Sequence, residues 1–148
     1  MWKAVQAAAA QLRIEPVAVN AGNPDGIEGV CADAARQGAG ALIVAADAFF
    51  SGQGLLIAGS ALRHRLATIS LYRDHAIAGC LMSYGQDVAQ FHRRAATYVD
   101  KILKGAKPQE LPVEQPTKFD LLINSKTAAA LGLAIPRELA VSADEVIE

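Results

Sequence analysis

The sequence predicts an α/β fold, a three-layer sandwich built around a mostly parallel sheet. Segments with helical periodicity alternate with short apolar segments along the chain, and this alternation is typical of parallel sheets with right-handed crossovers. The composition is 52% hydrophobic but only 5% aromatic, which favours helices packed closely on a sheet. The length of 148 residues fits one ordinary domain.

The first half of the chain contains the elements that establish this fold. Its alanine-rich beginning favours a helix, and further helices are indicated by apolar residues at helical spacing. The continuous apolar run 41–46, bounded by Gly40 and Asp47, is typical of a strand buried on both faces. The predicted helices are 2–13, 24–37 and 53–64, and the predicted strands are 17–19, 41–46 and 67–71. A unit of this kind normally opens with a strand, so the pattern begins one element late.

The second half predicts a short extended piece at 79–84 and the clearest helix of the chain at 86–104. That helix carries an apolar stripe formed by Val88, Phe91, Ala95, Val99 and Ile102. Beyond it we expect a proline-containing connector at 107–118, a strand at 119–123, a helix at 125–131 capped by Asn124 or Ser125, and a loosely held tail at 139–148.

Composition and charge exclude several classes of function. The formal net charge is −1, and no basic stripe with interleaved aromatics is present, so we expect no nucleic-acid partner. The cluster Arg63-His64-Arg65 is interpreted as a solvated helix end in preference to a phosphate site. Neither the three histidines nor Cys31 and Cys80 have ligand spacing, so we expect buried free thiols, no metal and no cofactor.

Enzyme motifs are also missing. Gly52, Gly54 and Gly59 follow the strongest strand and open a helix, but Ile57 stands where the dinucleotide fingerprint requires glycine. No Lys-Ser/Thr pair follows, and no serine has the context of a nucleophile elbow. We therefore predict that the chain is not an enzyme.

The carboxyl ends of the predicted strands carry the candidate binding residues. In an open α/β sheet, ligands bind outside these ends. Asp47 lies there, where it could bind a ligand amine or cap the following helix. Phe49, Phe50, Tyr72 and Tyr84 lie at or just past strand ends, where aromatic side chains suit a flat organic ligand, although any one of them could equally cover the core.

Three stretches resemble one family closely. They are GCLMSYG at 79–85, RRAATYVDKILKG at 93–105 and PVEQPTKFDLLINSKTAAALGLAIP at 112–136, with supporting matches in ALIVAADAFF at 41–50 and ADEVI at 143–147. The resemblance is to the ABC-transporter substrate-binding proteins that are grouped with tryptophan/tyrosine importers, and it covers essentially the whole chain.

The resemblance implies a type I periplasmic-binding-protein fold, in which two flavodoxin-like α/β lobes trap a small ligand between them. This chain corresponds to the second lobe and the carboxyl-terminal return, without the first lobe. The implied units are a second-lobe core at 1–74, a crossover strand and helix at 75–111 that would pack on the first lobe, and a return strand, short helix and tail at 112–148.

The same resemblance implies which residues face the ligand. They lie at the strand ends already identified from position, with Asp47 available for an amine and helix N-termini for a carboxylate. The expected ligand is amino-acid-like, and no cofactor is implied. The implied ligand-binding residues are Asn20, Asn23, Asp47, Phe49, Ser51, Tyr72, Tyr84 and Gly85.

The resulting hypothesis is a solute-binding component of a bacterial ABC importer, with a membrane permease as partner and a periplasmic location. The chain begins Met1-Trp2-Lys3 and enters a helix directly, so we expect no signal peptide and a cytoplasmic location if it is expressed as it stands. No apolar stretch reaches the roughly 20 residues that span a bilayer.

The alternative is a non-binding module that only self-associates. In the family the helix matching 86–104 packs on the first lobe, so here its stripe would face water. We therefore expect a homo-oligomer formed through 86–104, for example by exchange of the region 86–148 between two copies.

Overall fold

The structure is a computed structural model that describes residues 2–115 and 118–148. Pro116 and Thr117, which belong to the predicted connector, lie outside the described residues. The helices are α1 (Trp2–Leu12), α2 (Gly26–Arg36), α3 (Ala48–Ser51), α4 (Gly54–Arg63), α5 (Arg73–Ile77), α6 (Val88–Leu103), α7 (Ser125–Leu131) and α8 (Arg137–Ser142), with a 3₁₀ turn at Pro108–Glu110. The strands are β1 (Ala41–Ile43), β2 (Ala67–Ser70), β3 (Met82–Gly85), β4 (Asp120–Asn124) and β5 (Glu145–Ile147).

The strands form one sheet in the order β1-β2-β3-β4-β5. β1, β2 and β3 run parallel, β4 is antiparallel to β3, and β5 is parallel to β4. The predicted α/β fold with a mostly parallel sheet is therefore confirmed. As a consequence, the carboxyl ends of β1, β2 and β3 share one edge of the sheet with the amino ends of β4 and β5.

The two faces of the sheet are covered to different extents. Along β2 and β3 the side chains of Thr68, Ser70 and Ser83 are buried, whereas the alternating residues Ile69 and Met82 are only half-buried. α2, α4, α5 and α7 contact one another or the strands. The main core cluster lies between α2, α4 and the first strands and consists of Ile27, Cys31, Ala34, Val44, Ile57, Ala58, Ala61, Leu66 and Cys80. Both cysteines are free and buried.

The prediction of a strand at 17–19 is wrong. Residues 14–20 have no strand structure, and Val19 packs partly buried against the core cluster. A strand requires a hydrogen-bonded neighbour, but in the described residues the sheet ends at β1, so this segment has no partner strand. The strand predicted at 41–46 is shorter than expected, because after Ile43 only the amide of Val44 continues the ladder, by donating to Ile69 O at 2.9 Å.

The prediction of a loosely held tail at 139–148 is also wrong. The end of the chain forms α8 and then β5, which pairs in parallel with β4. The backbone N–H of Asp144 donates to Leu121 O at 2.9 Å, and the Leu121 N–H donates to Asp144 Oδ2 at 2.8 Å. The Ser125 hydroxyl bonds Ile147 O at 2.9 Å. A three-residue strand shows too little periodicity to be recognised in the sequence.

The predicted cap at the start of α7 is confirmed, and two further helix ends have similar local stabilisation. Asn124 caps α7 by accepting from the Thr127 N–H at 3.0 Å, and Gly132 ends that helix with φ +73°. Asp87 caps α6 by accepting from the Ala89 N–H at 2.8 Å. Side-chain oxygens at such positions satisfy amides that have no partner inside the helix.

The apolar stripe of α6 faces water, as expected from the sequence. No residue of α6 is fully buried. Val88 and Val99 are each 54% exposed, Phe91 43% and Ile102 41%, and Ala95 is exposed as well. The helix therefore does not fold back to cover its apolar side on the rest of the chain.

Candidate functional site

The sequence-predicted residues of three strands lie on one edge of the sheet. Asp47 follows β1, Tyr72 follows β2, and Tyr84 and Gly85 end β3. Because these strands are parallel, their carboxyl ends point the same way. In open α/β sheets this is the edge at which ligands bind.

Asp47 and Tyr72 are in direct contact at this edge. The Tyr72 hydroxyl donates to the backbone oxygen of Asp47 at 3.1 Å. Asp47 Oδ1 accepts from the Phe49 N–H at 2.8 Å, which makes Asp47 the N-cap of α3. Within the described part of the chain, Asp47 Oδ2 accepts no hydrogen bond. The residue is exposed, so one carboxylate oxygen serves the helix and the other is available to a ligand.

The segment after Asp47 places an aromatic pair beside this contact. The rings of Phe49 and Phe50 meet edge to face with centroids 4.9 Å apart, and both pack half-buried against the core cluster. The Ser51 hydroxyl donates to Ala48 O at 2.8 Å. Ser51 therefore serves the turn of α3, whereas Phe49 is partly available at the surface.

Tyr84 lies farther along the edge with a different partner. Its ring stacks on Phe119 with centroids 5.6 Å apart and an interplanar angle of 24°, and it is 51% exposed. No hydrogen bond or aromatic contact joins Tyr84 to Asp47 or Tyr72 among residues 2–115 and 118–148. Asp47, Phe49, Tyr72 and Tyr84 therefore lie on one edge of the sheet, with the first three connected and Tyr84 separate.

Gly85 permits the close approach of β3 to the end of β2. A Cβ atom at this position would lie 1.9 Å from the backbone oxygen of Leu71. Only glycine fits there, so Gly85 shapes the edge through its backbone and has no side chain to offer a ligand.

Asn20 and Asn23 belong to the loop before α2. Asn23 Oδ1 accepts from the Gly26 N–H at 2.8 Å, so its side chain stabilises the turn that opens the helix. Asn20 is exposed. No hydrogen bond in the described structure links either residue to Asp47 or Tyr72, and the asparagines are not brought into the Asp47–Tyr72 cluster.

Sequence reasoning missed the role of His75, which is fully buried directly below this cluster. Its Nδ1 lies 2.9 Å from Ser70 Oγ and its Nε2 lies 3.0 Å from Phe50 O. Its ring centroid is 5.0 Å from that of Tyr72. A histidine without metal-ligand spacing has no sequence signal for such a contact, because its partners come from two other elements.

Two ion pairs lie on the same edge. Arg73 bridges to Glu145, and Lys118 lies 2.8 Å from Asp120. The Asp120 carboxylate raises the pKa of Lys118. Exposed pairs of this kind contribute little to stability. Arg73–Glu145 connects α5 to the amino end of β5, whereas Lys118–Asp120 lies within the segment that begins β4.

A second concave feature, which the sequence did not predict, lies between α6 and the connector. It is a groove of about 810 Å³ lined by Phe91, Val99 and Ile102 among others. The Tyr98 hydroxyl donates to Pro112 O at 2.7 Å, and Arg94 pairs with Glu114. Arg94 lowers the pKa of Glu114, and burial, reinforced by Glu114, raises the pKa of Tyr98.

Two other kinds of feature are absent from the described residues. No three histidine, cysteine, aspartate or glutamate side chains among them are grouped so that they could hold a metal ion. None of the helices described is both long enough and apolar enough to cross a membrane.

Comparison with known proteins gives a family match over nearly the whole chain. Residues 2–147 match the family model described as ABC transporter substrate binding protein. None of the curated proteins matches the sequence significantly.

Three solved structures share the fold. A conserved domain protein from Vibrio cholerae aligns with a TM-score of 0.88 at 22% identity, over 98% of this chain and 49% of that one. An ABC domain from Streptococcus pneumoniae in complex with L-Trp aligns with a TM-score of 0.86 at 21% identity, over 98% and 50%. A substrate-binding protein with adhesive properties from Clostridium difficile, in a ligand-free open form, aligns with a TM-score of 0.68 at 16% identity, over 98% and 48%. The chain thus spans about half the length of the structures it matches.

Proposed function

Because the chain belongs to the family of ABC transporter substrate-binding proteins, we propose that it binds a small amino-acid-like solute for a bacterial import system. Binding is non-covalent and involves no catalytic chemistry. The observation that carries the proposal is the contact between Asp47 and Tyr72 at the carboxyl ends of β1 and β2, with Phe49 beside it.

Each residue of this cluster has a role that follows from its chemistry. The uncommitted oxygen of the Asp47 carboxylate accepts a charge-assisted hydrogen bond from the ligand amine. Phe49 and Tyr72 provide apolar surface for the body of the ligand. Tyr84 extends that surface along the edge. The Streptococcus pneumoniae structure in complex with L-Trp supports an amino acid, and L-tryptophan is the first ligand to test.

Asp47→Asn is the sharpest variant for this test, because asparagine can still cap α3 but cannot carry the charge. We expect amino acids to stabilise the wild-type chain in thermal unfolding, by about 2.7 kcal/mol when the ligand is present at 100 times its Kd. We expect Asp47→Asn to weaken binding by at least roughly tenfold in calorimetry.

Asp33→Asn is the matched control, since it removes the same charge from the exposed end of α2. It should leave affinity unchanged. If no amino acid stabilises the wild-type chain, or if the two variants weaken binding equally, the proposed ligand class is wrong.

The other parts of the proposal follow from the family. Substrate-binding proteins of ABC importers deliver their ligand to a membrane permease, so a permease is the proposed macromolecular partner and the periplasm is the proposed location. Capture of a ligand between two lobes requires a second protein surface that faces the Asp47 edge across the ligand. The chain spans about half of the matched structures. Its exposed surface indicates where a second protein surface can pack.

The chain exposes more surface than a compact monomer of its size. Its accessible surface is 9906 Å², whereas a protein of 15.5 kDa is expected to expose about 7,200 Å². The excess is about 2,700 Å² per chain, or about 5,400 Å² for two copies, which is at the upper end of the roughly 2,000–5,000 Å² or more that obligate interfaces bury in total. The exposed stripe of α6 and the groove beside it form one apolar part of this surface.

We therefore propose, as a second candidate, that two copies associate through α6. Burying large apolar side chains contributes about 1.5–3 kcal/mol each, and two copies would bring their stripes together about a twofold axis. Exchange of the region 86–148 is not needed for this, because β4 already pairs with β3 of its own chain.

Sedimentation at micromolar concentration tests association. We expect the wild type to sediment as a dimer of twice 15.5 kDa, and Phe91→Glu to sediment as a monomer. Thr97→Glu, which adds the same charge to an exposed position of α6 outside the stripe, should remain dimeric. A monomeric wild type would contradict self-association without affecting the solute-binding proposal.

A further inference from the structure

A closed ring of hydrogen bonds lies beneath the Asp47–Tyr72 contact. Ser70 Oγ is 2.9 Å from His75 Nδ1, and His75 Nε2 is 3.0 Å from Phe50 O. The Phe50 N–H donates to Asp47 O at 3.1 Å, which also accepts from the Tyr72 hydroxyl at 3.1 Å. The Tyr72 N–H donates to Ser70 Oγ at 3.2 Å and closes the ring. The ring thus joins β2, α5 and the segment 47–51.

The hydrogen-bond partners determine which tautomer a neutral His75 ring adopts. The backbone oxygen of Phe50 can only accept, so Nε2 must carry a proton and donate it. In the neutral ring Nδ1 then accepts, and the Ser70 hydroxyl donates to it while accepting from the Tyr72 N–H. His75 and Ser70 are 0% and 3% exposed, and every donor in the ring has a partner. Their polar groups are therefore used for structure and are not accessible for chemistry.

The segment 47–51 needs such support. α3 has only four residues and none of them is buried, and helices this short are not stable by themselves. Besides the Asp47 cap, the bond from His75 to Phe50 O ties the segment to the protein interior. The His75 ring is itself closely packed by the backbone at Gly54. The approach is so close that a Cβ atom at position 54 would lie only 3.0 Å from the ring atom Cδ2. The fixed position of the His75 ring can thus hold Phe50, and with it the segment 47–51, in one conformation.

We propose that His75 is a positioning residue for the ligand-binding edge, which sets the conformation in which Asp47 and Phe49 meet the ligand. The proposal rests on the proposed function, since it assumes that this edge binds the solute. His75 does not touch the ligand. It acts through Phe50 O, so the segment is preorganised before binding and less ordering is required when the ligand arrives.

Two substitutions separate the two halves of the His75 contact. His75→Gln places an amide N–H where Nε2 donates, so it retains the bond to Phe50 O and loses the acceptor for Ser70. His75→Asn places an amide oxygen where Nδ1 accepts, so it retains the bond from Ser70 and loses Phe50 O. If His75 had only a structural role, both variants would be destabilised to a similar extent. If His75 positions the segment 47–51, the two variants should differ in their effect on that segment.

Hydrogen exchange in the ligand-free chain is the first readout. We expect the amides of residues 47–53 to exchange roughly tenfold faster in His75→Asn, the change produced by loss of one hydrogen bond of ordinary strength. In His75→Gln these amides should exchange as in the wild type, and those of β2 should be unchanged in both variants. Equal changes in both variants, or no change at 47–53 in His75→Asn, would overturn the proposal.

L-tryptophan binding by calorimetry is the second readout. We expect affinity to fall in His75→Asn and to be retained in His75→Gln. If L-tryptophan binds to none of the three proteins, the proposed ligand is wrong, and hydrogen exchange still decides whether His75 positions the segment. If it binds wild type and His75→Asn equally, the positioning role is refuted while the binding function stands.

A third test uses the wild-type protein, so it does not depend on whether a variant folds. Imidazole ¹⁵N shifts distinguish the two neutral tautomers of histidine. We expect His75 to be the tautomer protonated at Nε2, and a proton on Nδ1 would contradict the ring.

Discussion

Substitution of Gly85 with alanine tests how closely β2 and β3 approach at the candidate site. The added Cβ would lie 1.9 Å from Leu71 O and 2.8 Å from Leu71 C, whereas carbon and oxygen atoms normally stay at least about 3.3 Å apart. The ends of the two strands would have to separate by more than about 1 Å. Because the contacted atoms are backbone and cannot rotate away, we expect a loss near the upper end for overpacking, about 3 kcal/mol.

Thermal and denaturant unfolding measure this loss. A destabilisation of about 3 kcal/mol lowers the Tm by roughly 6–12 °C in a domain of this size. Gly29→Ala is the matched control, since Gly29 lies on the exposed side of α2 and a Cβ there meets nothing within 4 Å. It should stabilise the chain by about 0.5–1 kcal/mol. If Gly85→Ala costs less than about 1 kcal/mol, the two strands are not packed as closely as the structure indicates.

Two further substitutions test how the elements are held together. Asn124→Ala removes two buried hydrogen bonds, the one that Asn124 Oδ1 accepts from the Thr127 N–H and the one that Asn124 Nδ2 donates to Ala76 O at 2.9 Å. We expect the unfolding free energy in denaturant to fall by about 2–4 kcal/mol. A decrease below about 1 kcal/mol would contradict the buried network. Hydrogen bonding from Arg63 lowers the pKa of Glu28 from 4.5 to about 2, so its contribution to stability is present above the unfolded pKa and lost as the pH falls towards the folded value. The difference in unfolding free energy between wild type and Glu28→Gln should therefore diminish as the pH falls from 4.5 to 2. A difference that is independent of pH across this range would argue against the ion pair.

The sequence was most informative where a signal is local. The apolar run after Gly40 correctly indicated where a strand begins, and Asn124 correctly indicated where a helix begins, because both signals depend on neighbouring residues. The signal failed where a segment depends on a distant partner. The segment 17–19 has strand composition but no neighbouring strand, whereas 145–147 is too short to be noticed and becomes a strand because β4 offers it hydrogen bonds.

The candidate binding edge shows the same division. The sequence predicted that Asp47, Tyr72 and Tyr84 lie on one edge, because each follows or ends a parallel strand and strand direction alone decides the edge. Whether they touch was decided by the tertiary structure, which joins Asp47 to Tyr72 and stacks Tyr84 on Phe119 instead. Asp47 could be read from the sequence as a cap or a ligand group, and the structure shows that one oxygen caps α3 while the other is free within the described residues.

By itself, the sequence determined the α/β class, the order of most elements, the family resemblance and the apolar stripe of α6, because periodicity, composition and motifs are properties of neighbouring residues. The tertiary structure alone decided that His75 supports the segment 47–51 and that Gly85 permits the approach of β2. These depend on atoms brought together from separate elements, as Ser70, His75 and Phe50 are. Hydrogen bonds and steric contacts act over a few ångströms in space and leave no periodic trace along the chain.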